Sequence, residues 1–367
     1  MSLTAVELRH LLHQNPELSF EEYATTRAIA ENLSEFSARI KVHAPLETGL
    51  VVEYHVNSGP YLLFRADIDA LPLEEKTGCQ FSSNNAFMHA CGHDVHTAAL
   101  YGFLKYAVGA HVDKNILFLF QPGEETGGGA QRIMDTGILK RFNISAAFST
   151  HVTDEYPAGS IASNPGVLFA SAREVDIEFF GKSSHIAFPE KGINAFNGLR
   201  MFLDMIDAVP QNEAIPFIFG IGKISAGCVR NIVPASARLE GSIRTLSSKL
   251  SDDFYETLGR ILDSIKTRTA INYSIKTGSF YPEVKVDEAL YSQIKKAASD
   301  KFNFIVSGYK MTGEDFGFIS REYPSFMFWL GTGGGQTSAG LHNPMFLPGD
   351  ESVQNGIEAF KMILNSF

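Results

Sequence analysis

The chain has 367 residues, 44% hydrophobic and 20% charged, with a net charge of −10. That length points to two domains with separate cores, and the acidic balance argues against nucleic acid or an anionic membrane as a partner. No apolar run reaches the ~18 residues needed to span a bilayer, there is no basic-then-apolar leader, and only Cys79, Cys91 and Cys228 carry thiols, so a cytoplasmic protein without disulfides is expected.

In chain order, Leu8, Leu11 and Leu12 at helical spacing predict a helix over 7–13, stopped by Pro16, and a second helix covers 21–33. Short strands are expected at 50–55 and 61–66, with a turn at Asn57-Ser58-Gly59-Pro60 between them. A helix over 93–108 would put His93 and His96 on one face. The continuous apolar run 116–120 reads as a strand buried on both sides. Three glycines, 127–129, then open a helix expected to run through Ile133 to Leu139. Alternating strands and helices imply a mostly parallel sheet covered on both faces.

Near Ser171 the pattern changes. Residues 174–179 alternate strictly, as a half-buried strand does. A helix at 195–208, strands at 217–224 and 235–243, a helix at 252–267 and a strand at 272–276 complete a β-α-β-β-α-β order, which reads as an inserted ferredoxin-like unit. After Tyr281-Pro282 the first pattern resumes, with helices at 287–301 and 351–364 flanking a strand at 325–330. The expected architecture is a doubly wound α/β domain with a mixed sheet, formed by 1–171 and 281–367, and a separate α+β unit at 172–280.

The chemistry concentrates in Met88-His89-Ala90-Cys91-Gly92-His93-Asp94-Val95-His96, where one thiol, three imidazoles and a carboxylate share nine positions. These are ligands for borderline-soft transition metals. A lone buried Cys or His is usually core, but a cluster of imidazoles is hard to explain as packing, because each one buried without a partner costs free energy. A structural zinc site would want a second cysteine pair, and none exists. Gln121-Pro122-Gly123-Glu124-Glu125 follows the buried strand, at the end where α/β enzymes place their chemistry. Adjacent carboxylates on an extended segment point apart, so one can hold a metal while the other moves a proton. His151 and His342 sit at similar junctions.

These motifs, with Leu12-His13-Gln14-Asn15-Pro16-Glu17-Leu18-Ser19-Phe20, Arg65-Ala66-Asp67-Ile68-Asp69-Ala70-Leu71-Pro72 and Leu341-His342, closely resemble the M20 metallopeptidase and amidohydrolase family, in its D subgroup of N-acyl-amino-acid amidohydrolases, over essentially the whole chain. The resemblance implies two divalent metal ions (Zn, Mn, Co or Ni), with Cys91 as bridging thiolate and His93, Glu125, His151 and His342 as further ligands. Glu124 takes the general acid/base role and Asp69 orients a ligand. The inserted unit resembles the family's lid, in which His185 polarises the scissile carbonyl and Asn231 and Arg244 bind the substrate's carboxylate. Lid-mediated dimers occur in the family, so a homodimer through 172–280 is implied. The partner is a small N-acyl amino acid. Segments 65–73, 239–246, 311–317 and 326–331 read most like deacetylases of N-acetyl-LL-2,6-diaminopimelate in lysine synthesis.

There are departures. The family often has a second lid histidine where this chain has Glu190, and Leu before the His151 motif where this chain has Thr150. Three other readings stand beside the deacetylase: a broader N-acyl-amino-acid or hippurate-type amidohydrolase, an inactive metal- or amino-acid-binding module, and a dipeptidase. Intact Glu124 argues against the inactive module. A dipeptidase would need an acidic partner for a free amine, which no motif supplies.

Overall fold

A computed structural model describes residues 2–209, 215–299, 301–333 and 339–367. The chain divides into two compact units, one of Met1–Leu168, Val284–Tyr309 and Asp315–Phe367, the other of Phe169–Glu283 and Lys310–Glu314.

The first unit begins with helices α1 (Ala5–Gln14) and α2 (Tyr23–Leu33), followed by strands β1 (Lys41–His43), β2 (Leu50–Tyr54) and β3 (Tyr61–Asp67). Then come α3 (His93–Gly109), β4 (Asn115–Gln121), α4 (Gly129–Asp135), β5 (Ile144–Pro157), β6 (Ile161–Ser163) and β7 (Gly166–Phe169). The second unit contributes β8 (Ser171–Phe180), α5 (Ala195–Asp207), β9 (Phe217–Ala226), β10 (Ser236–Thr245), α6 (Ser248–Thr269) and β11 (Asn272–Tyr281). The chain ends with β12 (Val284–Val286), α7 (Glu288–Ala298), β13 (Phe304–Val306), α8 (Gly317–Ser320), β14 (Ser325–Gly333) and α9 (Glu351–Leu364).

Eight strands of the first unit form one mixed sheet in the order β1-β2-β4-β3-β5-β14-β6-β13. Its centre, β4-β3-β5-β14, is parallel. Every residue of β3 and β4 is buried, which is why 116–120 reads as an unbroken apolar run. Phe64 on β3 lies 4.7 Å from Phe103 of α3, 4.9 Å from Phe148 of β5 and 5.4 Å from Phe360 of α9, ring centroid to centroid. These aromatics lock the helices to the sheet and leave the C-terminal strand ends to carry loops.

The second unit is a four-stranded antiparallel sheet in the order β11-β8-β10-β9, the ferredoxin-like arrangement its element order implies. Val175, Ile177 and Phe179 of β8 share a core with Leu199 and Phe202 of α5 and Leu258 and Leu262 of α6. The alternation along 174–179 is therefore one buried and one open face.

Two elements differ from expectation. The helix after the glycines stops at Asp135, because Gly137 takes a left-handed φ of 71° and turns the chain into a 3₁₀ turn at Leu139–Arg141. The helix expected from 252 starts at Ser248, where the Ser247 side chain accepts from the Leu250 N–H.

Candidate active site

The site is built where β3 and β4 end side by side, against the middle of the longer β5. Beneath it, Arg65 is fully buried, and its guanidinium donates to Gln121 Oε1 at 2.8 Å, Asp67 Oδ2 at 2.9 Å, Asp315 Oδ1 at 2.7 Å and Ser149 Oγ at 3.4 Å. Asp315 also accepts from Gln121 and from the Ala130 N–H that opens α4. A buried charge held by this many hydrogen bonds fixes the relative positions of the strand ends.

On this base the imidazoles are oriented one by one. His96 Nδ1 donates to Asp67 Oδ1 at 2.6 Å and its Nε2 accepts from the Val152 N–H at 2.8 Å. Both ring nitrogens are spent, so His96 braces the site and is no ligand, although Asp67, His93 and His96 lie close enough to resemble a metal group. His93 donates Nδ1 to Asp69, whose backbone oxygen is 3.0 Å away and Oδ1 3.1 Å, while its Nε2 has no hydrogen-bond partner. That is how a carboxylate aims a metal-binding histidine. Burial works against charge on His93, but Asp67 and Asp69 outweigh it and push its pKa up to about 10. Asp69 is itself held by Ser19 Oγ at 2.7 Å and the Glu125 N–H at 3.0 Å.

Cys91, 6% exposed, is the hub. Its Sγ lies 3.3 Å from His151 Nε2 and 3.3 Å from His342 Nε2, and His342 Nε2 lies 3.3 Å from Glu125 Oε1. His93 Nε2 is 3.9 Å from the same oxygen. The spacing is that of donors around tetrahedral ions, since bonds of about 2.0–2.3 Å put neighbouring ligand atoms roughly 3.3–3.7 Å apart. Glu124, His93 and Glu125 also present oxygen and nitrogen atoms within 4.8 Å of one another. His151 points its Nδ1 at the Val152 carbonyl, 2.8 Å away, and burial, then His96, holds its pKa well below normal, leaving Nε2 a free lone pair. Burial drives the Cys91 thiol well up, and Glu125, Glu124 and Asp67 drive it further. So dense a negative cluster, with His93 Nε2 lacking a hydrogen-bond partner among the described residues and Glu125 Oε1 facing His342 and His93, fits divalent cations, which bind the thiolate form and displace protons.

Local backbone makes this approach possible. Gly92 caps α3 with φ 81°, and a Cβ there would lie 2.3 Å from Val152 Cγ2, so only glycine lets the helix start close against β5. His151 falls within β5, which is longer than the sequence implied.

Residues 63–366 match the model of peptidase family M20/M25/M40. The chain belongs to this family. M20 relatives include the N-acetyldiaminopimelate deacetylase of Exiguobacterium sibiricum, 35% identical over 95% of each chain. That of Lactobacillus acidophilus is 34% identical, over 98% of this chain and 96% of the relative. A solved structure of a dinuclear metal-binding M20 peptidase from Bacillus subtilis is similar with a TM-score of 0.82 and 28% identity, over 98% and 96% of the two chains.

The remaining M20 motif residues lie on the second unit. His185 is exposed, its Nδ1 accepting from the Ala187 N–H at 3.1 Å, and an isolated bridge pairs it with Ile232, beside Asn231. Arg244 on β10 is half-buried and donates Nε to Ser242 Oγ at 3.0 Å; among the described residues it forms no ion pair. Sequence reasoning counted His96 among the metal-type imidazoles and gave no role to Asp67 or Glu22. The period-2 spacing of Asp67 and Asp69 was the available signal. Glu22 carried none, because its partner Gly123 is 101 residues away.

Proposed function

We propose that the chain is a metal-dependent amidohydrolase that removes the acetyl group from N-acetyl-diaminopimelate, releasing acetate and the free diamino acid. The observation that carries the chemistry is the convergence of Cys91, His93, Glu125, His151 and His342, with the buried His93 Nε2 lacking a hydrogen-bond partner among the described residues. What supports the substrate is full-length similarity to relatives bearing that name.

Cys91, His93, Glu125, His151 and His342 would hold the ions. Zinc, manganese, cobalt and nickel all suit thiolate, imidazole and carboxylate together. When bound, such ions polarise an amide carbonyl and make water nucleophilic at neutral pH. Glu124 takes the proton from the attacking water and delivers it to the leaving amine. Asp69 keeps His93 in the tautomer with a free Nε2. From the second unit, His185 steadies the carbonyl oxygen as charge develops, and Asn231 and Arg244 bind the substrate's carboxylate. The same unit serves as dimer contact: β9 is an edge strand with exposed Ile218 and Ile224, a surface that invites pairing with a second copy.

An acetate-release assay over a panel of N-acetyl amino acids, with each metal added in turn, tests this reading. N-acetyl-diaminopimelate should give the highest kcat/KM. Equal turnover across unrelated N-acyl amino acids would favour a broad amidohydrolase, and no turnover with any metal would leave a binding module.

A further inference from the structure

Away from the centre just described, α1 and the loop between β3 and α3 bring together a second set of metal-type donors. His13 Nε2 lies 3.3 Å from Glu75 Oε1, and Cys79 Sγ lies 3.8 Å from the same oxygen. One ligand atom from each of the three falls within 4.8 Å of the others. The side chains of His13 and Glu75 are only 1% and 3% exposed.

Three features make this more than a chance grouping. First, His13 Nδ1 contacts Asp94 Oδ2 at 2.9 Å, and Asp94 is held in turn by Arg9 at 3.1 Å. A carboxylate behind one ring nitrogen leaves the other aimed at Glu75 and Cys79, as it does behind metal-bound histidines. Second, donor separations of 3.3 and 3.8 Å are close to the roughly 3.3–3.6 Å edges of a tetrahedron with zinc bonds to nitrogen, oxygen and sulfur. Third, His89 lies beside His13, ring centroids 6.5 Å apart, buried and without a partner at either nitrogen. A buried imidazole left this way calls for an explanation beyond packing. The purely structural alternative has Glu75 closing its own loop through the Ser83 N–H and the Thr77 hydroxyl. That accounts for the carboxylate, but not for a thiol and an oriented imidazole converging on it.

We propose that His13, Glu75 and Cys79 form a third metal site, for a borderline-soft divalent cation such as zinc, separate from the catalytic pair. Three protein ligands leave one position open. The ion clips α1 to the 71–87 loop and takes no part in catalysis.

The test is zinc content per chain after metal removal and dialysis against buffered zinc. The full-length protein should hold one more zinc than Cys79→Ser, with Glu75→Gln matching Cys79→Ser and the exposed-thiol control Cys228→Ser matching the wild type. Deacetylation by Cys79→Ser at saturating metal should stay within about twofold of wild type. A second readout uses cobalt alone: the thiolate charge-transfer band should persist in Cys91→Ser and vanish in Cys91→Ser with Cys79→Ser. Equal zinc in wild type and Cys79→Ser, or no residual cobalt band in Cys91→Ser, overturns the site. A failure of the catalytic pair would lower every count alike and leave the difference of one, so the two outcomes are distinguishable.

Discussion

At the scale of the residue, Glu124 and Glu125 are neighbours to which the proposed function gives different tasks. Glu125 Oε1 faces His342 and His93, whereas Glu124 is buried beside them and is assigned the proton. Glu124→Gln should keep its metal and lower kcat by at least ~10², the usual contribution of a positioned acid–base group. Metal analysis alongside steady-state kinetics checks this; near-normal turnover would move the role elsewhere. Cys91 sits between two imidazoles, and the proposed reading makes it a metal ligand and not a covalent nucleophile. Chelation should abolish activity, excess metal should restore it, and mass spectrometry during turnover should find Cys91 unmodified. An acetyl group trapped on Cys91 would refute the assignment.

At the scale of the element, the loop between β4 and α4 is held to the start of α2 by one buried carboxylate. Glu22 Oε1 accepts from the Gly123 N–H at 2.8 Å, and its Oε2 has no partner. Burial, then the charge of Asp69, pushes the Glu22 pKa up to about 7 from its ordinary 4.5. A carboxyl raised on folding binds its proton more tightly in the native state. Its contribution is therefore complete below pH 4.5 and is lost as pH rises through about 7. Glu22→Gln keeps the acceptor for Gly123 and cannot ionise. In metal-free protein it should be more stable than wild type by about 3 kcal/mol at pH 8, with the gap closing near pH 4.5. Urea unfolding at both ends of that range reads the effect; a gap that does not change with pH would show that folding leaves the Glu22 pKa at its ordinary value.

At the scale of the whole molecule, the two units divide the work: the first gathers metal donors and the second carries the candidate contacts to substrate. Arg244 is a half-buried cation that forms no ion pair among the described residues, and burial lowers its pKa against the pull of Glu174. A guanidinium grips a carboxylate in two places, which an ammonium cannot reproduce. Arg244→Lys should lower kcat/KM by on the order of 10- to 100-fold, from the ~1.4–3 kcal/mol of a charge-assisted bond, without loss of metal or thermal stability. The penalty should shrink when the substrate's carboxylate is replaced by a neutral amide. Equal damage on acid and amide substrates would make Arg244 structural.

Much of this protein was legible in its sequence, for identifiable reasons. The continuous apolar run at 116–120 announced a strand buried on both faces, and the strict alternation at 174–179 announced a one-sided sheet. The dense run from His89 to His96 announced a metal because no packing argument explains so many imidazoles. What only the tertiary structure decided was which donors stay free. His93 and His96 lie three residues apart on one helix, yet the Val152 N–H consumes the Nε2 of His96 while Asp69 leaves that of His93 open. The partners of Glu22, Arg65 and His13 likewise lie 101, 250 and 81 residues away. Periodicity reports the local face a residue presents, whereas hydrogen-bond satisfaction depends on which distant backbone arrives beside it, and that is settled only when the sheet closes.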